Sequence, residues 1–143
     1  MFNLVMMTMI FNKKTRIVKK DDEYGIVGAN GKMVVDFGKY KYIYESAGLY
    51  KVTDNDRNEY LLDSKGKVLF NLKDASISTY FGVSTYSLLL EKDKKQYNVL
   101  NSDGKVLVTF NEKDGVDKPA TNEEDGFISV FYNNKNYILD SNT

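Results

Sequence analysis

The 143-residue chain contains no cysteine, no histidine and no tryptophan, and its single proline is Pro119. Each absence removes a class of chemistry. Without cysteine there is no disulfide framework, no thiol nucleophile and no thiolate metal site. Without histidine there is no imidazole base, no conventional catalytic triad and no ordinary zinc centre. One-sided charge is also lacking. Lysine plus arginine and aspartate plus glutamate both number 20, so no net field draws the chain to nucleic acid or to an anionic membrane. Long apolar runs are missing as well. The most apolar stretch, "MFNLVMMTMIF", falls short of the roughly 18–20 residues a spanning helix needs. Lys13 and Lys14 follow that stretch, whereas a secretory leader carries its positive charge in front. These features predict an apolar strand over residues 3–11, a single domain spanning 1–143 and a cytoplasmic location, with no cofactor.

What is present is enough for a folded core: 42% hydrophobic and 13% aromatic residues exceed what a disordered chain carries. Asparagine, lysine, aspartate and tyrosine are abundant, a composition that suits an AT-rich bacterial or phage source.

The chain writes one hairpin repeatedly. "YGIVGANG" (24–31), "EYLLDSKG" (59–66), "YNVLNSDG" (97–104) and "NYILDSNT" (136–143) align without a gap, at spacings typical of repeat architectures. The third position is Ile26, Leu61, Val99 and Ile138; the fourth is Val27, Leu62, Leu100 and Leu139. Two adjacent aliphatic columns place apolar groups on both faces of a strand, as an internal strand requires. The fifth position, Gly28, Asp63, Asn101 and Asp140, turns to chain-bending residues. The eighth is Gly31, Gly66 and Gly104, suited to the left-handed residue closing a hairpin loop. "MVV", "VLF" and "VLV" then supply a further apolar strand, and "TRIVKK", "GLYKV", "YSLLLEK" and "GFISVFY" precede the four copies. No stretch shows a sustained helical period. The pattern predicts an all-β fold of three to four three-stranded meander repeats, stacked as a small solenoid or curved sheet array, with repeat hairpins near 24–37, 59–70, 97–110 and 136–143. The last copy stops at its turn, and the strand over 3–11 is expected to supply a missing partner at one end.

"EYGIVGANGKMVVDFGKYKYIYESAGLYKV" (23–52) resembles the WG-repeat family of bacterial proteins. The resemblance rests on the aromatic–glycine pair Tyr24–Gly25, the turn Asn30–Gly31–Lys32 and the glycine-led strand Gly48–Leu49–Tyr50–Lys51–Val52. The second and third units keep "DSKGKV" and "NSDGKV" but not the aromatic–glycine pair, and the family's tryptophan is absent. The resemblance, covering residues 16–143, implies a meander-built interaction module without a shared catalytic centre, and carries over no site residues.

Chemistry-bearing patterns are sparse. "DNDRNE" places Asp54, Asp56 and Asn58 at the first oxygen positions of a calcium loop. Glu59 then occupies the position of the turn glycine and Lys65 that of the bidentate glutamate, so a hairpin turn is the better reading. Asp21–Asp22–Glu23 and Glu123–Glu124–Asp125 are acidic clusters in loops, where carboxylates point to solvent rather than across a cleft. "GANG" lacks the spacing and the lysine–hydroxyl ending of a phosphate loop. Lys13, Lys14, Arg16, Lys19 and Lys20 are followed at once by acids and make no phosphate-binding face.

Aromatic residues offer more. Tyr40, Tyr42 and Tyr44 alternate, which puts all three on one face of an extended segment, either packed on a neighbouring repeat or free for a partner. Residues 71–87 are rich in β-formers and can add a strand. Residues 111–126 are polar, carry the proline and read as the longest loop, presenting Asp117, Lys118, Glu123 and Glu124. The expected function is a non-enzymatic protein–protein interaction module, with no catalytic residues and no metal, contacting an unidentified protein partner through Tyr40, Tyr42, Tyr44, Asp117, Lys118, Glu123 and Glu124. Nucleic acid and membrane are not expected partners. Three other readings stay open: a phage or mobile-element inhibitor that blocks a host defence complex, a glycan-binding or carboxylate-based glycosidase domain, and a self-assembling unit joined through the N-terminal strand.

Overall fold

A computed structural model describes residues 15–78 and 85–140. The strand expected over 3–11 lies outside them. The described residues are all β: β1 (Thr15–Lys20), β2 (Glu23–Gly28), β3 (Met33–Val35), β4 (Tyr42–Ser46), β5 (Leu49–Thr53), β6 (Glu59–Leu62), β7 (Val68–Asn71), β8 (Ala75–Ser78), β9 (Tyr86–Glu91), β10 (Gln96–Asn101), β11 (Val106–Asn111), β12 (Ala120–Glu124), β13 (Phe127–Tyr132) and β14 (Lys135–Asp140). No helix among them is long and apolar enough to cross a membrane.

The strands form four small antiparallel meanders, β1-β2-β3, β4-β5-β6-β7, β8-β9-β10-β11 and β12-β13-β14. The expected three-stranded repeat is present, and three of the sheets open with an additional leading strand, β4, β8 or β12. Two turn types build the meanders. Asp21–Asp22, Ala47–Gly48, Asp125–Gly126 and Asn133–Asn134 each have positive φ at both residues and join strands through two-residue loops. That is the mirror-image turn whose twist matches paired strands, and aspartate, asparagine and glycine tolerate it best. The acidic clusters at 21–23 and 123–125 therefore have a local reason.

The glycine hairpin is the second type, and its copies superpose bond for bond. The amides of Gly28, Asp63 and Asn101 donate to the carbonyls of Lys32, Lys67 and Lys105, while the amides of Gly31, Gly66 and Gly104 donate back to residues 28, 63 and 101. Asp63 Oδ1 accepts from the amides of Lys65 and Lys67, and Asn101 Oδ1 from those of Asp103 and Lys105. Gly28 has no side chain to offer, so Asn30 Oδ1 takes the Lys32 amide instead. A register shift follows in all three, at Ile26/Val27, Leu61/Leu62 and Val99/Leu100, and bends the strand after the turn.

The chain divides between Lys73 and Asp74 into two compact units. In the first unit, the β1–β3 and β4–β7 sheets share a core of Ile26, Val35, Tyr40, Ile43, Tyr50, Val52 and Leu62. In the second, the β8–β11 and β12–β14 sheets share Tyr86, Leu88, Tyr97, Val99, Phe110, Ile128, Val130 and Tyr132. Fully burying side chains of this size stabilises by about 1.5–3 kcal/mol each before the entropy of ordering them is counted. Buried tyrosines keep their hydroxyls satisfied: Tyr50 pairs with Thr15 Oγ1 at 2.6 Å, and Tyr132 donates to the Asn111 carbonyl at 2.5 Å.

The segment 111–126 departs from expectation. Only its first half is a loop; Ala120–Glu124 is strand β12, paired along β13 from Ala120↔Phe131 to Glu124↔Phe127. β12 is a sheet edge, so its polar residues alternate between solvent and partial burial, and composition hides the strand. The buried Pro119 stops just short of it, where its missing N–H disturbs no ladder.

Candidate functional site

The four repeat copies should bury equivalent columns equally, and the third position departs from this most. At the third position Ile26, Leu61 and Val99 are each 0% exposed, whereas Ile138 is 70% exposed. On neighbouring β13 the side chains alternate: Ile128, Val130 and Tyr132 enter the core, while Phe127 and Phe131 stand outside at 51% and 52% exposure. The pairings Ser129↔Ile138, Phe131↔Asn136 and Phe127↔Asp140 put these outward residues on one face with Ile138. Across the other edge, Glu124 lies opposite Phe127 and Ala120 opposite Phe131.

The outcome is an apolar face framed by polar groups, with two open depressions. One, of about 350 Å³, is lined by Asn122, Glu124, Asp125, Phe127, Ser129 and Ile138. The other, of about 310 Å³, brings Asp117 and Lys118 beside Ala120, Phe131 and Asn133. Aromatic anchors within a polar rim are the features that distinguish the centre of a protein-binding patch from ordinary surface. Glu124 thus lies beside Phe127, and Asp117 and Lys118 lie beside Phe131.

Glu123 is not with them. The alternation along β12 turns it inward, where its carboxylate accepts the Thr85 amide at 3.1 Å and the Thr85 hydroxyl. Beside it the Tyr86 hydroxyl donates to Thr121 Oγ1 at 3.1 Å. Glu123 holds β12 against the start of β9 and is a structural residue rather than a surface contact.

The tyrosine triad also separates. Tyr42 and Tyr44 share one face of β4 at 45% and 61% exposure, and Ile43 points into the core between them. Tyr40 is only 7% exposed and belongs to the core of the first unit. The one-face reading required an extended chain from 40 to 44, but β4 begins at Tyr42. Burial, followed by the charges of Tyr60 and Asp54, raises the Tyr40 phenol above its ordinary value. Lys41 Nζ sits 5.5 Å from the centre of the Tyr42 ring, a cation–π contact at the surface.

Among the described residues no group of acidic side chains is placed to hold a metal ion. The Asp54 loop uses its oxygens on itself: Oδ1 accepts the amides of Asp56 and Asn58, and Oδ2 accepts Asn58 Nδ2 at 3.0 Å. The Asn58 side chain is the main reason the Asp54 carboxyl titrates below its ordinary value.

Phe127, Phe131 and Ile138 were not among the residues the sequence pointed to. Their sequence signature is the alternation of "FISVFY", which puts Phe127 and Phe131 on the face opposite Ile128 and Val130.

No protein-family model matches the chain, and no curated protein matches it. Among solved structures it is similar to BamB from Moraxella catarrhalis, at 12% sequence identity and a TM-score of 0.31. The likeness covers 80% of this chain and spans 38% of that one.

Proposed function

We propose that this chain is a protein–protein interaction module built from degenerate WG-like β repeats, acting by binding rather than by catalysis. Its principal contact surface is the outer face of the β12–β14 sheet. One observation carries the reading: a column buried at Ile26, Leu61 and Val99 opens at Ile138, and Phe127 and Phe131 flank it in the open. Leaving two phenylalanines and an isoleucine in water on one sheet face favours association. Asp117, Lys118 and Glu124 supply the polar rim, while Tyr42 and Tyr44 form a separate exposed pair on the first unit.

The test is a stoichiometric capture comparison in lysate of the source organism or its host. Wild-type chain is set against Phe127→Ser/Phe131→Ser and, separately, Tyr42→Ser/Tyr44→Ser, with bound proteins quantified by mass spectrometry. The reading expects a protein held near 1:1 by wild type, lost from the phenylalanine variant and kept by the tyrosine variant. Equal retention by wild type and the phenylalanine variant would remove this face from the binding surface.

A further inference from the structure

The packing rule inside each unit describes what the open face of the β12–β14 sheet lacks. In the first unit, the third-position face of the β1–β3 sheet, with Ile26 and Val35, is covered by the fourth-position face of the next sheet, with Val52 and Leu62. In the second unit, Leu88 and Val99 are covered in the same way by Ile128, Val130 and Leu139. The β12–β14 sheet therefore has its fourth-position face inward and its third-position face bare. The complement to that bare face is another fourth-position face.

This chain carries one that is also incompletely covered. On the β1–β3 sheet, Val18 and Val27 are half-buried. The register places Val52, Leu89 and Val130 at the position of Val18, and all three are 0% exposed. Leu62 and Leu100, at the position of Val27, are 0% exposed as well, while Leu139 there is half-buried against the core of the second unit. Gly25 stands where Tyr60 and Tyr137 stand in other copies, and Met33 and Phe37 lie over it, 2.7 and 3.3 Å from where a Cβ would be.

Charge separates the two faces. On β1, Arg16 and Lys20 flank Val18 on the fourth-position side, with Glu23 opposite Lys20. The bare face of the β12–β14 sheet has Glu124 and Asp140 opposite Phe127, Asp125 in the adjoining turn, and no lysine or arginine at its outward strand positions. Asp21 and Asp22 in the adjoining turn give the β1–β3 margin both signs, so the match is of apolar groups to apolar groups, with Arg16 and Lys20 the cations available to Glu124 and Asp140.

Resting on the reading of that face as a protein-binding surface, we propose that it docks the β1–β3 sheet of a second copy of this chain, head to tail. The contact is heterologous, since different surfaces of the two copies meet, and each copy retains one unused face. Assembly size therefore grows with concentration, and the exposed rim charges make it weaken as salt is added.

The experiment is multi-angle light scattering on the full chain across a concentration series, with two complementary variants. Phe127→Ser/Ile138→Ser disables the acidic apolar face, and Arg16→Glu/Lys20→Glu disables the basic one. All four side chains are exposed or half-exposed, and circular dichroism checks that the variants fold. Wild type is expected to grow beyond a monomer, and each variant alone to stay monomeric. An equimolar mixture of the variants is expected to give a 1:1 pair and nothing larger, because each supplies the face the other lacks. A wild type that stays monomeric overturns the proposal. So does a basic-face variant that still pairs with itself, which would mean like-to-like contact through the phenylalanines. If wild type is monomeric but Phe127→Ser/Phe131→Ser still loses a captured protein, only the second-copy inference falls. If neither assay responds to the phenylalanines, the interaction surface itself falls.

Discussion

Gly31 and Gly66 occupy the same place in two copies of one hairpin and have nearly the same torsion, φ 82° and 83°. Both donate their amide to the residue three earlier. Their surroundings differ. A Cβ built on Gly31 meets nothing within 4 Å, whereas one on Gly66 lies 3.0 Å from Val34 Cγ1, 3.2 Å from Val35 Cγ2 and 3.3 Å from the Val34 carbonyl oxygen. Replacing each by alanine separates two contributions that are usually confounded. The left-handed torsion costs an L-residue about 1–2 kcal/mol. The stiffer unfolded chain returns about 0.4–1 kcal/mol of that. Gly31→Ala should therefore lose no more than about 1.6 kcal/mol. Gly66→Ala bears the same loss and also presses a methyl into β3, where Val35 is 2% exposed and cannot retreat to solvent. Overpacking of that kind adds about 1–3 kcal/mol. Urea denaturation followed by far-UV circular dichroism measures both, with the shift in midpoint at constant m giving the difference. Equal losses for the two variants would refute the close approach of the β6–β7 hairpin to β3, and with it the packing of the first unit.

Ile26 and Ile138 hold the same repeat column at 0% and 70% exposure, so Ile26→Ala should lose about 2–5 kcal/mol and Ile138→Ala less than about 0.5 kcal/mol; matched losses in thermal melts would mean that the outer face is covered. Arg57 closes the Asp54–Asn58 turn at φ 68°, donating its amide to the Asp54 carbonyl as the glycines do elsewhere. Arg57→Gly should stabilise by up to about 1 kcal/mol, read as a higher urea midpoint, and a lower midpoint would show that the arginine side chain matters more than its torsion. Burial is the first cause raising the phenols of Tyr40, Tyr50 and Tyr97 above the usual value near 10. Their folded values exceed their unfolded ones, so this stability is complete below pH 10 and lost as pH rises through the folded values. Melting temperature should fall on the alkaline side of pH 10, less steeply in Tyr97→Phe; an unchanged slope would argue against burial of that phenol.

Much of the fold was legible because turns and columns are local. The glycine hairpin combines a left-handed residue, aliphatic residues before it and, in two of its three copies, a fifth-position side chain that takes two amides, all visible in sequence as Gly66, Leu61–Leu62 and Asp63. Strand β12 was not legible, because an edge strand leaves little apolar signature and its evidence is the partner β13, Ala120 against Phe131 and Glu124 against Phe127. Tyr40 was misplaced for a related reason. Alternation predicts a shared face only while the chain stays extended, and nothing in "GKYKYIYES" announces that the strand starts at the second tyrosine. Glu123 and Glu124 are indistinguishable by composition, yet the pleat sends one to Thr85 and the other to solvent.

The two exposed aromatic groups are not equivalent evidence for binding. Tyrosine at a strand edge has a hydroxyl for water and a lysine beside it, so Tyr42 and Tyr44 lie comfortably in solvent whether or not a partner exists. Phe127, Phe131 and Ile138 have no polar atom with which to compensate. A repeat array that ends in water is ordinarily finished with a polar outer face, because the last sheet would otherwise present its neighbour's docking surface to every other chain. The β1–β3 sheet is more polar at two of these positions, with Arg16 where two other copies carry Tyr50 and Ile128, and Gly25 where two carry Tyr60 and Tyr137. On the outward face of the β12–β14 sheet, Phe127 and Phe131 stand at the two ends of the central strand with Ser129 between them and Ile138 beside it, and Glu124, Asn122, Asn136 and Asp140 lie around them. A polar margin around an apolar centre limits indiscriminate aggregation while leaving a specific partner something to bury. Between the two patches, the phenylalanine face is therefore the one whose loss should abolish association, and the tyrosine pair the one whose loss should leave it intact.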